Sequence, residues 1–284
     1  MKPTHFPEQQ QEDQPGLENK MVPQPEYIRS NYKGSDKLLG KVALITGGDS
    51  GIGRSIAIHF AREGADVAIA YYEENEDAEK TQELVKREGR QCLLFKGDLK
   101  SQDFCKKIVN NTIEKFNKLN ILVNNAAMQF PQEDFGKVTK DQLRLTFETN
   151  IYPFFYTTLE ALKSFGKGDI IINTSSVTAY RGSDHLVDYS STKGAIVSFT
   201  RSLSAQLVKR GIRVNAVAPG PIWTPLIPST FTPEQVAKFG QETPMKRAGQ
   251  PSEVGPAYVF LASKDSSYIT GQIIHINGGE IVGG

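Results

Sequence analysis

No stretch of this chain limits its folding choices more than residues 42–62. Residues 42–45, Val-Ala-Leu-Ile, are a short apolar run of the kind that becomes a strand buried on both faces. Thr46-Gly47-Gly48-Asp49-Ser50-Gly51-Ile52-Gly53 follows at once, and Ile56, Ala57, Phe60 and Ala61 then recur at helical spacing. Strand, glycine-rich turn and helix in that order predict a dinucleotide-binding loop. Glycine lets the backbone approach a pyrophosphate closely, and a helix start offers free N–H groups and the positive end of a dipole. Gly47, Asp49, Ser50, Gly51, Ile52 and Gly53 are therefore candidate cofactor contacts.

The same alternation continues. Strands are predicted at 67–71, 91–96, 119–123, 169–173, 213–218 and 272–276, with helices at 77–88, 104–116, 143–162, 188–209 and 250–262. In a chain of 284 residues this predicts one α/β domain over residues 39–284, a Rossmann-like doubly wound, mostly parallel seven-stranded sheet with helices on both faces. Such sheets bind ligands beyond the C-terminal ends of their strands. Residues 221–245 lie just there, are rich in Pro and Thr, contain a predicted short helix at 233–239, and read as a substrate lid.

One helix carries the candidate chemistry. Tyr189 and Lys193 are four residues apart and share a helix face. An ammonium beside a phenol favours the phenolate and is expected to lower the tyrosine pKa from about 10 toward neutrality, which makes a general acid/base. Ser175 and Ser176 close the strand before it. The small residues Asn125, Ala126 and Ala127 follow the fourth strand and let a cofactor lie close to its end.

The end of the second strand bears on which nicotinamide cofactor is used. Tyr71 stands where an acidic residue would hold a ribose hydroxyl, and Tyr72, Glu73, Glu74, Glu76 and Asp77 come next without a basic residue. A 2′-phosphate would meet like charge there, so NAD is favoured, with NADP as the alternative.

At this point the chain resembles the short-chain dehydrogenase/reductase family over residues 39–284. Thr46-Gly47-x3-Gly51-x-Gly53 is similar to the family's cofactor loop, and Asn124-Asn125-Ala126-Ala127 to its Asn-Asn-Ala-Gly element, with Ala127 in place of Gly. Ser176 lies at the family's usual separation from Tyr189, which favours it over Ser175. Asn150 matches the fourth member of the catalytic set, and Pro219-Gly220 with Thr224 the nicotinamide-side motif. The resemblance implies that Tyr189 exchanges a proton with the substrate oxygen, that Lys193 holds the nicotinamide ribose and tunes Tyr189, that Ser176 orients the substrate, and that Asn150 supports a relay water. It implies that Asp98, beside Leu99, meets adenine, that the Ile222 backbone and Thr224 grip the carboxamide, and that the protein forms a homotetramer. Gln14-Pro15-Gly16, Tyr32-Lys33-Gly34 and the run from Trp223 to Leu226 also resemble bacterial general-stress-type oxidoreductases with an N-terminal extension.

The substrate wall is expected from Met128, Gln129, Phe130, Val177, Tyr180, His185, Leu186, Trp223 and Leu226, with Gln129 and Trp223 the first candidates beside Ser176 and Tyr189. Most are apolar and suit an uncharged carbonyl or secondary alcohol. His185 reads as a polar loop residue rather than a second acid/base. A net charge of +1 gives no reason to expect nucleic acid or an anionic membrane as partner. Cys92 and Cys105 lack metal-ligand spacing and read as reduced thiols of a cytoplasmic protein, and no metal is expected. No apolar run approaches the ~20 residues of a transmembrane helix, and the first residues lack the apolar core of a secretory signal.

Two further readings stay open. One is an NADPH-preferring carbonyl reductase of the same fold; the other is a cofactor-binding sensor without turnover, which would need no acid/base pair. Residues 1–38 hold five of the fifteen prolines and few β-branched residues. They read as a disordered tail or as an arm docked through its second half, and residues 1–20 are expected to be dispensable.

Overall fold

The computed structural model describes residues 2–281. All seven strands form: β1 (Val42–Thr46), β2 (Asp66–Tyr71), β3 (Cys92–Lys96), β4 (Ile121–Asn124), β5 (Ile170–Thr174), β6 (Arg213–Pro219) and β7 (Ile273–Ile276). They make one parallel sheet in the order β3-β2-β1-β4-β5-β6-β7. The winding reverses between β1 and β4, and there the C-terminal ends of the strands open a crevice.

The helices are α1 (Gly51–Arg62), α2 (Asn75–Arg87), α3 (Gln102–Phe116), α4 (Lys140–Asn150), α5 (Tyr152–Ala161), α6 (Thr178–Arg181), α7 (Val187–Leu207), α8 (Pro233–Ala237) and α9 (Pro251–Ala262). Alternate strand residues face opposite layers, as the two-residue period of a strand requires. Ala43 and Ile45 pack with Ile56 and Phe60 of α1 and Tyr258 of α9, whereas Val42 and Leu44 pack with Ile108 of α3, Ala161 of α5 and Leu207 of α7. Cys92 and Cys105 are buried and free, and burial pushes both thiols up to about 12.

The helix predicted at 143–162 is two helices. Ile151 leaves helical geometry (φ −123°, ψ −52°), and Pro153 stands in the first turn of α5. Proline has no N–H to donate to Thr149 and suits the first turn of a new helix.

The extension is docked along its length, its first half as well as the second half for which docking was expected. Phe6 stacks on Trp223 with ring centroids 3.7 Å apart. Gln11 N donates to Pro228 O at 2.7 Å. Glu18 is buried, accepts from Gly51 N at 2.7 Å and pairs with Arg54, which also pairs with Asp77 at 2.9 Å. Trp223 Nε1 donates to Pro23 O at 2.8 Å, and Tyr32 Oη to Glu63 at 2.5 Å. The docking uses single anchors and backbone groups, not a periodic apolar face, so composition alone does not reveal it. Phe6→Ala removes the first anchor and is expected to speed Glu-C cleavage after Glu8 or Glu12 on the order of a hundredfold, given ~3 kcal/mol for a buried aromatic. Equal cleavage of variant and wild type would show that the Phe6–Trp223 stack does not hold the arm.

Candidate active site

A cavity of about 980 Å³ lies over the C-terminal ends of the strands. Its first wall is the turn from β1 into α1. Gly47 and Gly51 have φ of +62° and +51°, and a Cβ on Gly53 would stand 1.7 Å from Gly47 O, so this turn needs glycine. Thr46 Oγ1 accepts from Asn125 N at 2.9 Å and Ala126 N at 3.1 Å, while Asn125 Nδ2 donates to Thr46 O and Gly47 O, each at 3.1 Å. These bonds hold the glycine turn and the end of β4 as one unit. Because Glu18 takes the Gly51 N–H, the N–H groups left for an anion at the α1 start are those of Ile52 and Gly53.

Tyr189 and Lys193, both on α7, enter the cavity beside Ser176. Lys193 Nζ lies 5.3 Å from the centre of the Tyr189 ring and donates to Thr174 O at 3.0 Å. Lys193 is 1% exposed, and burial lowers its ammonium to about 7. Burial raises the Tyr189 phenol to about 12, against a lowering by its hydrogen bond with Ser176. The expected drop of the Tyr189 phenol toward neutrality is therefore not met. Both groups are desolvated, and a lysine that itself titrates near 7 is only a partial cation. Both Ser175 and Ser176 line the cavity, but the Ser175 hydroxyl is donated to Lys193 O at 2.9 Å, whereas Ser176 Oγ accepts from Thr178 N at 3.2 Å.

Asn150 lies behind this pair. Its side chain is committed to Met128, accepting from Met128 N and donating to Met128 O, both at 2.8 Å. Phe154 N donates to Ile151 O at 3.1 Å, one residue short of the helical partner, because the helix has broken. The Asn150 backbone carbonyl is thus released from the ladder. Asp188 fixes the start of α7, accepting from Thr146 at 2.8 Å and Gln142 at 3.1 Å, both on α4. Its position beside Tyr189 was the only sequence signal for that role.

The end of the cavity expected to hold adenosine is acidic. Asp49, Tyr71, Glu74 and Asp98 line it. Burial, with Glu74 and Asp77 nearby, raises the Asp49 carboxyl to about 7. Tyr71 Oη donates to Asn75 at 3.1 Å. Lys100 also lines the cavity and is paired with Asp98 at 3.4 Å, while Arg54 is held behind the loop by Glu18 and Asp77.

Of the expected cofactor residues, Leu99, Ala127, Pro219, Gly220, Ile222 and Thr224 line the cavity with those above. So do Met128, Gln129, Val177, His185, Leu186 and Leu226 of the expected substrate wall. Trp223 does not. It is fully buried beneath Phe6, with its indole N–H turned to the arm. Phe130 and Tyr180 also fall outside the lining, Tyr180 packing instead on His275 with centroids 4.4 Å apart. Sequence reading did not place in the cavity lining Arg181 and Glu280, paired at 3.6 Å, or Gln14, Pro15 and Gly16 of the extension. Among the described residues no cluster of metal-ligating side chains occurs, and no helix is long and apolar enough to cross a membrane.

The pattern of a family described as Enoyl-(Acyl carrier protein) reductase matches residues 47–280. General stress protein 39 of Bacillus subtilis (strain 168) is 55% identical over 99% of this chain and 98% of its own length, a span that takes in the extension. Glucose and ribitol dehydrogenase of Daucus carota is 51% identical over 98% of each chain. A solved short chain dehydrogenase from Burkholderia cenocepacia J2315, in complex with NADP, superposes with a TM-score of 0.80 at 30% identity, over 86% of this chain and 98% of its own.

Proposed function

The chain belongs to the short-chain dehydrogenase/reductase family, and from that premise we propose that it moves a hydride between a nicotinamide cofactor, NAD in preference to NADP, and an uncharged carbonyl or secondary alcohol. The observation that carries this reading is the buried Lys193 ammonium beside Tyr189 and Ser176, in one cavity with the glycine turn. Burying a lysine is costly, and the only hydrogen bond of this ammonium among the described residues is to Thr174 O. Its remaining donors suit ribose hydroxyls, and the glycine turn leaves backbone N–H groups for a pyrophosphate, so the residues fit a dinucleotide.

When bound, the cofactor supplies or accepts the hydride. Tyr189, a phenol at neutral pH, gives its proton to the carbonyl oxygen in reduction and takes it back in oxidation. Ser176 hydrogen-bonds that oxygen and Tyr189 together. Lys193, poised near 7, returns a proton to Tyr189, and the freed Asn150 carbonyl anchors a water that connects Lys193 with solvent. Met128, Leu186 and Leu226 enclose an uncharged substrate, while Gln129, His185 and the Arg181–Glu280 pair offer hydrogen bonds to further hydroxyls. That mixture suits a hydroxylated aldehyde or alcohol, in keeping with the relative named for glucose and ribitol. Leu143, Tyr152, Phe155 and Leu159 leave an apolar stripe exposed on α4 and α5, which supports assembly into a homotetramer.

NAD is favoured because the adenosine end holds Asp49 and Glu74, and its one basic lining residue, Lys100, is committed to Asp98. The NADP-bound structural relative supports the second reading, an NADPH-preferring reductase. Titration with NADH and NADPH, followed by quenching of nicotinamide fluorescence, separates them. Tighter binding of NADH is expected, and Tyr71→Arg is expected to shift the ratio of the two affinities toward NADPH by about tenfold, one charge-assisted contact. An unchanged ratio would show that Tyr71 does not face the ribose.

A further inference from the structure

The cavity has one wall that neither the sheet nor its helices supply. Gln14, Pro15 and Gly16 line it together with the glycine turn and Tyr189. Gln14 grips the backbone of Gln129 from both sides, its amide nitrogen donating to Gln129 O at 2.7 Å and its amide oxygen accepting from Gln129 N at 3.3 Å. Gln129 is 5% exposed and follows the loop that carries Asn125 to Met128 past the strand ends. Two residues on from Gln14, the chain is pressed onto the lid. A Cβ on Gly16 would stand 2.6 Å from Pro225 O and 3.0 Å from Ser229 Cβ, so only glycine fits. Glu18 then anchors the chain on Gly51 and Arg54 at the start of α1.

Residues 14–18 thus join three sides of one opening: the loop after β4, the lid and the glycine turn. The stretch from Gln14 to Leu17 is uncharged and can lie across a pyrophosphate without repulsion. Of the two carboxylates that flank it, Asp13 is exposed, and Glu18 is committed to Arg54 and to the Gly51 N–H.

We propose that Gln14-Pro15-Gly16 are part of the dinucleotide site, a strap laid over the bound cofactor, and that Gln14 is the positioning residue that latches this strap to Gln129. The proposal rests on the reading of the cavity as a nicotinamide-cofactor site. Release of the cofactor requires the latch to open, so the extension sets the exchange rate as well as closing the cavity.

The test uses the full chain. Wild-type protein is first titrated with NADH and NADPH; binding of neither would remove the cofactor reading and the strap with it. In a chain that binds NADH, stopped-flow displacement by excess NAD is expected to show release about tenfold faster in Gln14→Ala, for two lost hydrogen bonds. The nucleotide-free variant should melt within about 3 °C of wild type, because the anchors at Phe6 and Glu18 remain. Release within twofold of wild type would overturn the strap while leaving the cofactor reading intact. A second measurement needs no variant. In wild type, the peptide covering residues 12–20 should exchange its amide hydrogens more slowly with NADH bound, and equal exchange with and without NADH would overturn the proposal.

Discussion

Tyr189→Phe should lose about 10²–10⁴-fold in kcat, the usual worth of a positioned acid/base, while NADH affinity stays within a few fold. The substitution removes one oxygen and leaves the ring that packs beside Lys193. Nothing that forms the glycine turn touches that oxygen, so cofactor binding has no reason to weaken. Burial raises the phenol to about 12, which keeps its proton in place at neutral pH. A variant that turned over at close to the wild-type rate would remove Tyr189 from the chemistry and leave Ser176 or a water as proton donor.

Lys193→Met should lose activity on the same scale and yet make the nucleotide-free protein more stable at neutral pH. The Lys193 ammonium titrates at about 7 in the fold against an ordinary 10.5. Between those values the unfolded chain binds the extra proton, so wild-type stability is penalised at and below pH 7 and recovers as pH rises toward 10.5. Methionine fills the same space with no charge to bury. The melting temperature of the variant should exceed that of wild type most at pH 7 and below, with the gap closing by about pH 10. A variant that melts lower than wild type across this range would mean that the ammonium is solvated or paired in a way the buried site does not allow.

The contrast between these residues shows what the sequence made legible. The strands were readable because parallel strands covered on both faces are near-continuous apolar runs, as in residues 42–45 and 170–172. The site was readable because its members follow strand ends at fixed distances, and Tyr189, Lys193 and Ser176 do converge in one cavity. Direction and burial were not readable. Trp223 sits in the expected segment but turns its indole toward the arm, and the shift of Tyr189 follows from desolvation that spacing alone does not express. The break at Ile151 was signalled by Pro153 and hidden by apolar periodicity that continues on both sides of it. The docking of residues 1–38 was the least readable feature, since its partners lie up to 228 residues away.

Those distant partners have a consequence for how the chain is made. Synthesis delivers the N-terminal arm before any strand exists, yet Phe6 waits for Trp223, Pro23 for the same indole, and Glu26 for Ser252. Domains emerging from the ribosome fold from their beginning, and here the beginning must settle last. A segment that spends that interval undocked has to stay soluble without a partner. The proline-rich, strand-poor composition that made it look like a tail is what lets it wait without pairing with the unfinished sheet beside it.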